Sequence, residues 1–277
     1  MADAGAAMIS HQRNLTVGRF VAKAVAGAPE VLRCARHFRN WKPFLRHYVT
    51  PRHLAEPFVA RARHGFSITH WEASDVQTTW AVFCARNYRI PKDCNLVLDL
   101  GANIGVFSTY ATRLMGAKRV IALEPVSGTF EKLKQNLSNN GLESTVTAVR
   151  KGIAGAAGTR SIYLGVSSPH SSLYYRGNPT FETGRTEDIT ITTLDQLFAD
   201  FGLDQADVCK LDCEGGEVEA LLAASDDVLR RIKCLTMEYH FPGNLSDKQT
   251  FFARLARAGF RCMWHSRVGR MATFVRD

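Results

Sequence analysis

A short turn with two glycines is the first part of the sequence whose residue types and spacing could bind a ligand. It reads VLDLGANIG over residues 97–105, after an apolar run and before a helical pattern. In α/β proteins such a turn presents backbone N–H groups to a ligand. The dinucleotide-binding fingerprint needs a middle glycine, which is here Asn103, and Asp99 would add negative charge beside the phosphates. Both residues argue against NAD and favour a ligand without phosphate.

S-adenosylmethionine (SAM) has this chemistry, because it carries an ammonium group, a sulfonium and a carboxylate but no phosphate. We expect Asp99 to meet the ammonium group, directly or through water, while Gly101 and Gly105 let the backbone approach the methionine portion. The N–H groups that begin at Asn103 would meet the carboxylate. Glu124, nineteen residues beyond Gly105, is placed to accept hydrogen bonds from the ribose hydroxyls. NAD sites also carry an acid there, so the prediction of SAM rests on these positions together.

A second group of charged residues follows the fourth apolar run, in KLDCEGGEVEAL at 210–221, and continues in MEYH at 237–240. Charge at the carboxyl end of a buried strand points to the ligand-binding edge of a parallel sheet. Glu238 and His240 are two residues apart and therefore face the same side of their strand. We expect the following side chains to share one mouth and to perturb each other's pKa values: Lys210, Asp212, Glu214, Glu217, Glu238 and His240.

This group of side chains suits the methylation of a hydroxyl, which must lose its proton as its oxygen attacks the sulfonium methyl. His240 is the preferred general base and Asp212 the orienting acid, with Lys210 and Glu238 completing the catalytic set. Alignment of the nucleophile with the methyl group supplies most of the remaining rate. Alternatively, Asp212, Glu214 and Glu238 hold a divalent cation such as Mg2+, which would lower the pKa of the hydroxyl.

Several of these motifs occur together and in the same order in a known family. The segments LDLGANIGVFS, IALEP and KLDCEGGEVEAL, followed by MEYH, resemble the FkbM family of SAM-dependent methyltransferases over roughly residues 95–265. The K-x-D-x-E-G-x-E pattern at 210–217 is the most specific part. The resemblance implies a class I methyltransferase sheet and hydroxyl acceptors on sugars and polyketide-type natural products, although the acceptor itself does not transfer with the motif.

The same resemblance implies roles for two sets of residues. SAM would be bound by Asp99, Gly101, Asn103, Gly105 and Glu124, and the reaction centre would be lined by Lys210, Asp212, Glu214, Glu217, Glu238 and His240. Many SAM enzymes also place an aspartate after the third strand to bind adenine, whereas VRKGIAG at 149–155 has none. We expect either the backbone of Gly152 or Ile153 to make this contact, or a looser hold on adenine.

Apolar runs alternate with helical patterns from residue 96 onward, which places these motifs at strand ends. We predict strands at 96–100, 119–124, 145–150, 207–212 and 234–240, helices at 104–115, 127–139, 216–224 and 247–258, and a closing antiparallel pair at 261–265 and 271–276. This alternation predicts an α/β fold with a doubly wound, Rossmann-like, mostly parallel sheet and an antiparallel closing strand. Residues 155–193 interrupt the pattern and read as a hairpin or long loop near the ligand-binding edge.

The basic character of the chain is concentrated near its N-terminus. Residues 1–70 carry eleven Lys and Arg against three acids, in a chain whose net charge is +9. We predict a basic helical extension at 1–64, helical from residue 15 to about 47, and a methyltransferase domain at 65–277. The basic face either is a solvated surface or contacts an anionic membrane or an acidic substrate. Nucleic acid is not an expected partner, because no nucleic-acid-binding module is recognisable.

The cysteine pattern is a guide to the cellular compartment of the protein. Seven scattered cysteines, an odd number, indicate reduced side chains in a cytoplasmic protein rather than a disulfide framework. We expect neither a signal peptide nor a membrane-spanning segment. Two alternatives to an O-methyltransferase of small molecules or glycans stay open: an RNA or protein methyltransferase that uses the basic arm, and a non-catalytic SAM-binding partner protein.

Overall fold

The computed structural model describes residues 27–51, 53–167, 171–174, 182–241, 248–266 and 270–276. In chain order the helices are α1 (Ala28–His37), α2 (Trp41–Val49), α3 (Ala73–Thr79), α4 (Val106–Arg113), α5 (Ser127–Ser138), α6 (Leu194–Asp200), α7 (Gly216–Ala223), α8 (Asp226–Arg230) and α9 (Lys248–Arg257). The strands are β1 (Phe58–Arg61), β2 (Ser67–His70), β3 (Leu96–Leu100), β4 (Arg119–Leu123), β5 (Val146–Val149), β6 (Gly152–Ile153), β7 (Gly158–Gly165), β8 (Glu182–Thr192), β9 (Val208–Leu211), β10 (Cys234–Glu238), β11 (Arg261–His265) and β12 (Met271–Val275). The part of the expected N-terminal helix that precedes residue 27 lies outside the described residues.

A mixed sheet forms the centre of the molecule. Within the described residues it has seven strands in the order β11-β12-β10-β9-β3-β4-β5. The five strands from β10 to β5 in this order run parallel, whereas β12 is antiparallel to both β10 and β11. The doubly wound sheet with an antiparallel closing strand is therefore confirmed. Each predicted core strand and helix ends within two residues of its predicted bounds.

The strand order creates the place where a ligand binds. The chain runs outward from β3 through β4 to β5 and then returns to form β9 on the other side of β3. Loops at the carboxyl ends of β3 and β9 therefore diverge and leave a crevice. Asp99 pairs in register with Lys210 across these two strands, so the glycine turn and the charged motif face each other over the crevice.

The sheet separates two hydrophobic clusters, because alternate residues of a strand face opposite sides. In β3, Val97 faces a cluster formed with α4, α5 and the N-terminal segment. Leu98 and Leu100 face a second cluster, formed with α6 to α9. Every residue of β3 is buried, as is usual for a parallel strand covered by helices on both faces.

The N-terminal segment packs into the first of these clusters. Phe38 packs edge-to-face on Phe83 with 5.5 Å between ring centroids, and its ring lies 4.9 Å from that of Phe44. Strand β1 pairs antiparallel with β2. The predicted boundary at residue 64 falls inside this hairpin, and the residues on both sides contribute to one core. Contact of the basic face with a membrane stays a prediction. Among the described helices, none combines the length and apolarity that a membrane crossing requires.

The segment between α3 and β3 departs from regular helix. Helix α3 continues into a π-helical stretch, Trp80–Ala85, which ends where Arg86 takes a left-handed conformation with φ of 57°. π-Helical turns are rare and often occur near functional sites. The chain that follows carries Tyr88 into the interior against Phe107.

Residues 155–193, which interrupt the alternation of strands and helices, contain a hairpin. A hairpin is one of the two structures predicted for this segment. Strands β7 and β8 pair antiparallel, and β6 adds to β8 in parallel, so the order of this small sheet is β6-β8-β7. Gly152 pairs in register with Ile191. The hairpin therefore stands directly over the carboxyl edge of the main sheet.

Candidate active site

The turn between β3 and α4 needs both of its glycines. Gly101 has a φ of 78°, and a Cβ atom there would lie 2.0 Å from the carbonyl oxygen of Asp212. Gly105 has a φ of 84° and begins α4, and its Cβ would lie 2.7 Å from Cδ1 of Leu133. L-residues with a side chain disfavour such positive φ values. Only glycine allows the turn to lie this close to β9 and α5.

Asp99 lies beneath the turn and does not line the cleft, so its contact with the ammonium group, directly or through water, stays a prediction. The residue has no exposed surface. One carboxylate oxygen lies 3.1 Å from Lys210 Nζ, and the other accepts a hydrogen bond of 2.6 Å from the Ser108 hydroxyl. Packing leaves Asp99 no exposed face, and its charge is balanced by that of Lys210.

Lys210 connects this buried carboxylate to the turn. Its ammonium group donates a hydrogen bond of 2.6 Å to the carbonyl of Gly101, and only 4% of its surface is exposed. Burial disfavours the charged ammonium, but Asp99 and Asp212 outweigh burial and raise the pKa of Lys210 above its ordinary value. Lys210 is thus a permanent cation that fixes the shape of the glycine turn.

Glu124 and Asn103 lie in the crevice where the sequence places them. One Glu124 carboxylate oxygen accepts the backbone N–H of Asn103, and the other accepts that of Val126, both at 3.0 Å. Each carboxylate oxygen can accept a further hydrogen bond, so ribose hydroxyls still have acceptors here. Burial raises the pKa of Glu124 to about 7.

The Asn103 side chain indicates that the crevice fits a ligand with hydrogen-bond donors. Its Oδ1 is buried and accepts no hydrogen bond from the described residues. A buried acceptor without a partner is costly, so a donor from a bound molecule would be stabilising. The ammonium and hydroxyl groups of SAM are donors of this kind, and Asn103 lines the cleft together with Gly101 and Glu124.

The hairpin adds an apolar wall that the sequence did not indicate. Ile162, Ile189 and Ile191 line the cleft beside Gly152. A Cβ atom on Gly152 would lie 2.8 Å from Cδ1 of Ile191, so this glycine lets the hairpin close on the sheet. Adenine is a flat, largely apolar ring, and such a wall suits it where no aspartate follows the third strand. The adenine contact of the Gly152 or Ile153 backbone stays a prediction.

The acidic mouth consists of four carboxylates around the imidazole of His240: Asp212, Glu214, Glu217 and Glu238. Nδ1 of His240 lies 2.8 Å from Oε1 of Glu217, a carboxylate with no exposed surface, whose other oxygen accepts the Gly215 N–H at 2.9 Å. The second ring nitrogen, Nε2, lies 3.5 Å from Glu214 and 3.7 Å from Glu238. Burial by itself lowers the pKa of His240, but the hydrogen bond and charge of Glu217, with Glu214 and Asp212, raise it to about 9.

Sequence reasoning missed Tyr88. Its buried hydroxyl donates a hydrogen bond of 2.6 Å to Oδ2 of Asp212, and its ring centroid lies 5.7 Å from Lys210 Nζ. No signal in the sequence singles out this tyrosine, because it follows an ordinary helical pattern and belongs to no motif. Only the folding of its segment onto the sheet brings it to the site.

The structure does not form the predicted metal site. Among the described residues, no group of three or more His, Cys, Asp or Glu side chains is arranged to hold a metal ion. Asp212 accepts a hydrogen bond from Tyr88, while Glu214 and Glu238 lie beside the imidazole of His240. The three carboxylates thus lie beside a phenol and an imidazole and are not arranged as a metal-binding group.

Comparison with known proteins identifies the family in which this sequence belongs. Among curated proteins, the chain is 26% identical to Methyltransferase sdnD of Sordaria araneosa over 175 residues, which is 54% of this chain and 68% of that protein. It is 25% identical over 182 residues to AMB antimetabolite synthetase AmbE of Pseudomonas aeruginosa, a match to 54% of this chain but 8% of the synthetase.

Solved structures and a family profile complete the comparison. A structure of Methyltransferase FkbM from Methylobacillus flagellatus shares 12% identity at a TM-score of 0.44, over 73% of this chain and 54% of that one. A Precorrin-6y C5,15-methyltransferase from Geobacter metallireducens shares 16% identity at a TM-score of 0.42, over 74% of this chain and 89% of that one. The profile of the Methyltransferase FkbM domain matches residues 99–262, more than half of the chain and the stretch that holds the glycine turn and the acidic mouth. The chain therefore belongs to the FkbM methyltransferase family, with the class I methyltransferase fold, and is a SAM-dependent methyltransferase.

Proposed function

We propose that the chain transfers the methyl group of SAM to a hydroxyl oxygen of a small-molecule or glycan acceptor, such as a sugar, a glycolipid or a natural product. The observation that carries the proposal is the pair of His240 and Glu217 beside the cofactor cleft. A hydroxyl must lose its proton as it attacks, and a histidine held by a buried carboxylate is a base suited to that task.

Each residue of the mouth has a part in this chemistry. SAM, when bound, supplies a methyl group that its sulfonium makes electrophilic. With Nδ1 of His240 donating to Glu217, the neutral imidazole accepts the acceptor's proton at Nε2, and Glu217 then stabilises the imidazolium. Asp212 lines the cleft, and its carboxylate accepts a hydrogen bond from another donor of the acceptor molecule, which orients the reacting hydroxyl towards His240 and the methyl group.

The residues around the turn would hold the cofactor. Asn103 offers its unpartnered Oδ1 to a donor of the ligand, and Glu124 offers the remaining lone pairs of its carboxylate to the ribose. Gly101 lines the cleft, and Gly105 lets the turn pack closely on Leu133, so the two glycines maintain the shape of the turn. Their positions support SAM binding at this edge of the sheet.

The charge of the mouth supports a small, phosphate-free acceptor. Its four carboxylates, together with the permanent cation Lys210 and the imidazole of His240, leave an excess of negative charge at neutral pH. Such a field repels phosphate-rich partners such as RNA. The name of the relative AmbE, an antimetabolite synthetase, also favours a small molecule as the acceptor.

The proposal is tested with radiolabelled SAM and matched panels of acceptors. The panels are neutral sugars, aminosugars, hydroxy acids, hydroxylated polyketides, simple amines, total RNA and total protein. We expect a methyl ether as the product, identified by mass spectrometry and NMR. His240→Gln should lower transfer about 100-fold or more while S-adenosylhomocysteine (SAH) still binds.

His265→Gln is the control, because His265 is an exposed histidine that bonds the Tyr239 hydroxyl outside the cleft. It should keep full activity. Methylation of nitrogen, RNA or protein in place of a hydroxyl would contradict the proposal, as would full activity of His240→Gln.

A further inference from the structure

Tyr88 belongs to the reaction centre although it precedes the part of the chain that matches the family, which begins eleven residues later. Its ring packs edge-to-face on Phe107 with 5.4 Å between centroids, and its hydroxyl reaches Asp212. Thr78 and Val82, from the same upstream segment, also line the cleft. One wall of the reaction centre is therefore built by residues outside the family domain.

Asp212 depends on this contact for its orientation. Among the described residues, the Tyr88 hydroxyl is the one hydrogen-bond donor to its side chain. The neighbouring Glu217, by contrast, accepts hydrogen bonds from His240 and from the Gly215 backbone. Without the phenol, no hydrogen-bond donor among the described residues would oppose rotation of the Asp212 carboxylate, which would be left to packing and to the charge of Lys210.

The Tyr88 phenol keeps the proton that it donates to Asp212 as the pH rises. Burial raises the pKa of Tyr88 well above its ordinary value, and the charge of Asp212 and the hydrogen bond to it raise this pKa further. Tyr88 therefore stays protonated at neutral and moderately alkaline pH. Its hydrogen is available to the carboxylate whenever the enzyme works.

We propose that Tyr88 is a positioning residue for methyl transfer, holding the Asp212 carboxylate in the orientation that binds and orients the acceptor molecule. This inference rests on the proposed hydroxyl chemistry. The phenol acts through Asp212 and does not itself contact the transferred group. The segment before the family domain thereby gains a part in catalysis, because it supplies a hydrogen bond that the family domain alone lacks.

A double-mutant cycle tests whether Tyr88 acts through Asp212. Tyr88→Phe keeps the ring that packs on Phe107 and removes only the hydroxyl. We expect it to lower kcat about tenfold to a hundredfold and to change the KM for SAM by less than about twofold. In an Asp212→Asn background, Tyr88→Phe should have little further effect, because both substitutions remove one interaction.

Tyr110→Phe is the matched control for the loss of a buried hydroxyl. Tyr110 is 7% exposed and also packs on Phe107, but it does not line the cofactor cleft. Its kcat should match the wild type. Equal losses from Tyr88→Phe in the wild-type and Asp212→Asn backgrounds would overturn the proposal, and so would a wild-type kcat in Tyr88→Phe.

A titration that needs no acceptor separates the failure of this proposal from the failure of the proposed function. Tyrosine labelled with carbon-13 at Cζ reports ionisation of the phenol, and Tyr88→Phe assigns its signal. In Asp212→Asn the loss of the neighbouring charge should move ionisation of Tyr88 to lower pH, whereas exposed Glu131→Gln should not. If no hydroxyl acceptor is found but this shift is present, the pairing is supported and only the hydroxyl chemistry is overturned. If the shift is absent, the pairing and the positioning role fail together.

Discussion

His240 illustrates how neighbours decide the chemistry of one side chain. Its spacing from Glu238 identifies it as a candidate base, but its charge state follows from the carboxylates that surround it. With its pKa raised to about 9, His240 is a cation at neutral pH. Only a small neutral fraction can accept a proton there, and this fraction grows as the pH rises.

We expect kcat to increase about tenfold per pH unit from 7 towards 9 and then to level off, because the active base is the deprotonated imidazole and its pKa is raised. The measurement is kcat at saturating SAM and acceptor across this range. Glu217→Gln removes the charge that raises the pKa, so the plateau should begin at lower pH and at a lower rate.

The alternative base gives a different profile. Burial raises the pKa of Glu238 to about 7. A kcat that levels off near pH 7 would therefore identify Glu238 as the base and contradict the assignment to His240. Glu131→Gln removes an exposed carboxylate outside the cleft and should leave the profile unchanged.

The turn between β3 and α4 shows how an element is shaped by what packs against it. Gly101 touches the backbone at the end of β9, while Lys210 holds its carbonyl from below. The turn, the charged strand end and the buried Asp99 therefore form one unit. A change in the turn is expected to displace Asp212 as well as the cofactor.

Gly101→Ala should abolish the rise in Tm that SAH causes and should lower Tm itself, because the added methyl would lie 2.0 Å from the carbonyl oxygen of Asp212. Gly65→Ala is a closely matched control. Gly65 has the same φ of 78°, but nothing lies within 4 Å of its Cβ position. It should show backbone strain alone, about 1–2 kcal/mol, and keep SAH binding.

Thermal unfolding with and without SAH measures both effects, since a ligand at about 100 times its Kd adds roughly 2.7 kcal/mol. If Gly101→Ala and Gly65→Ala had the same Tm and the same rise in Tm with SAH, the close approach to β9 would not be what the turn requires.

Across the molecule, the segment before β3 is joined to the sheet by packing and by polar contacts. Asn136 on α5 accepts the Thr69 N–H at 2.9 Å, and Asn140 one turn later accepts the Ser67 N–H at 2.8 Å. These amide side chains satisfy the edge of β2 as a neighbouring strand would. Together with the buried Phe38, they attach the β1–β2 hairpin to the methyltransferase core.

A chain truncated to residues 65–277 should therefore fail to fold cooperatively. It would lose β1 and the aromatic side chains that now cover Phe83 and Trp80, so these two rings would be exposed, and large exposed apolar patches favour aggregation. The measurements are calorimetry and SAH binding. A chain starting at residue 27 keeps every described residue and serves as the control. Cooperative unfolding with an SAH-induced shift in the shorter chain would show that the basic segment is dispensable.

The local pattern of residues was sufficient to predict most of the fold and one edge of the site. Strands buried on both faces and amphipathic helices leave periodicities that depend only on near neighbours in the chain. Acids and glycines that follow such strands must then lie at the carboxyl edge of the sheet, because parallel strands end together. The structure brings five such residues to one cleft: Gly101, Asn103, Glu124, Lys210 and Asp212.

The sequence could not determine which neighbours each charged group contacts. Asp99 and Lys210 neutralise each other across two strands, and Tyr88 bonds a carboxylate that lies 124 residues away in the chain. The charge of His240, the apolar wall from the hairpin and the absence of a metal cluster among the described residues follow in the same way from packing between distant segments. Burial and partners set the charge and availability of a side chain, and these exist only once the chain has folded.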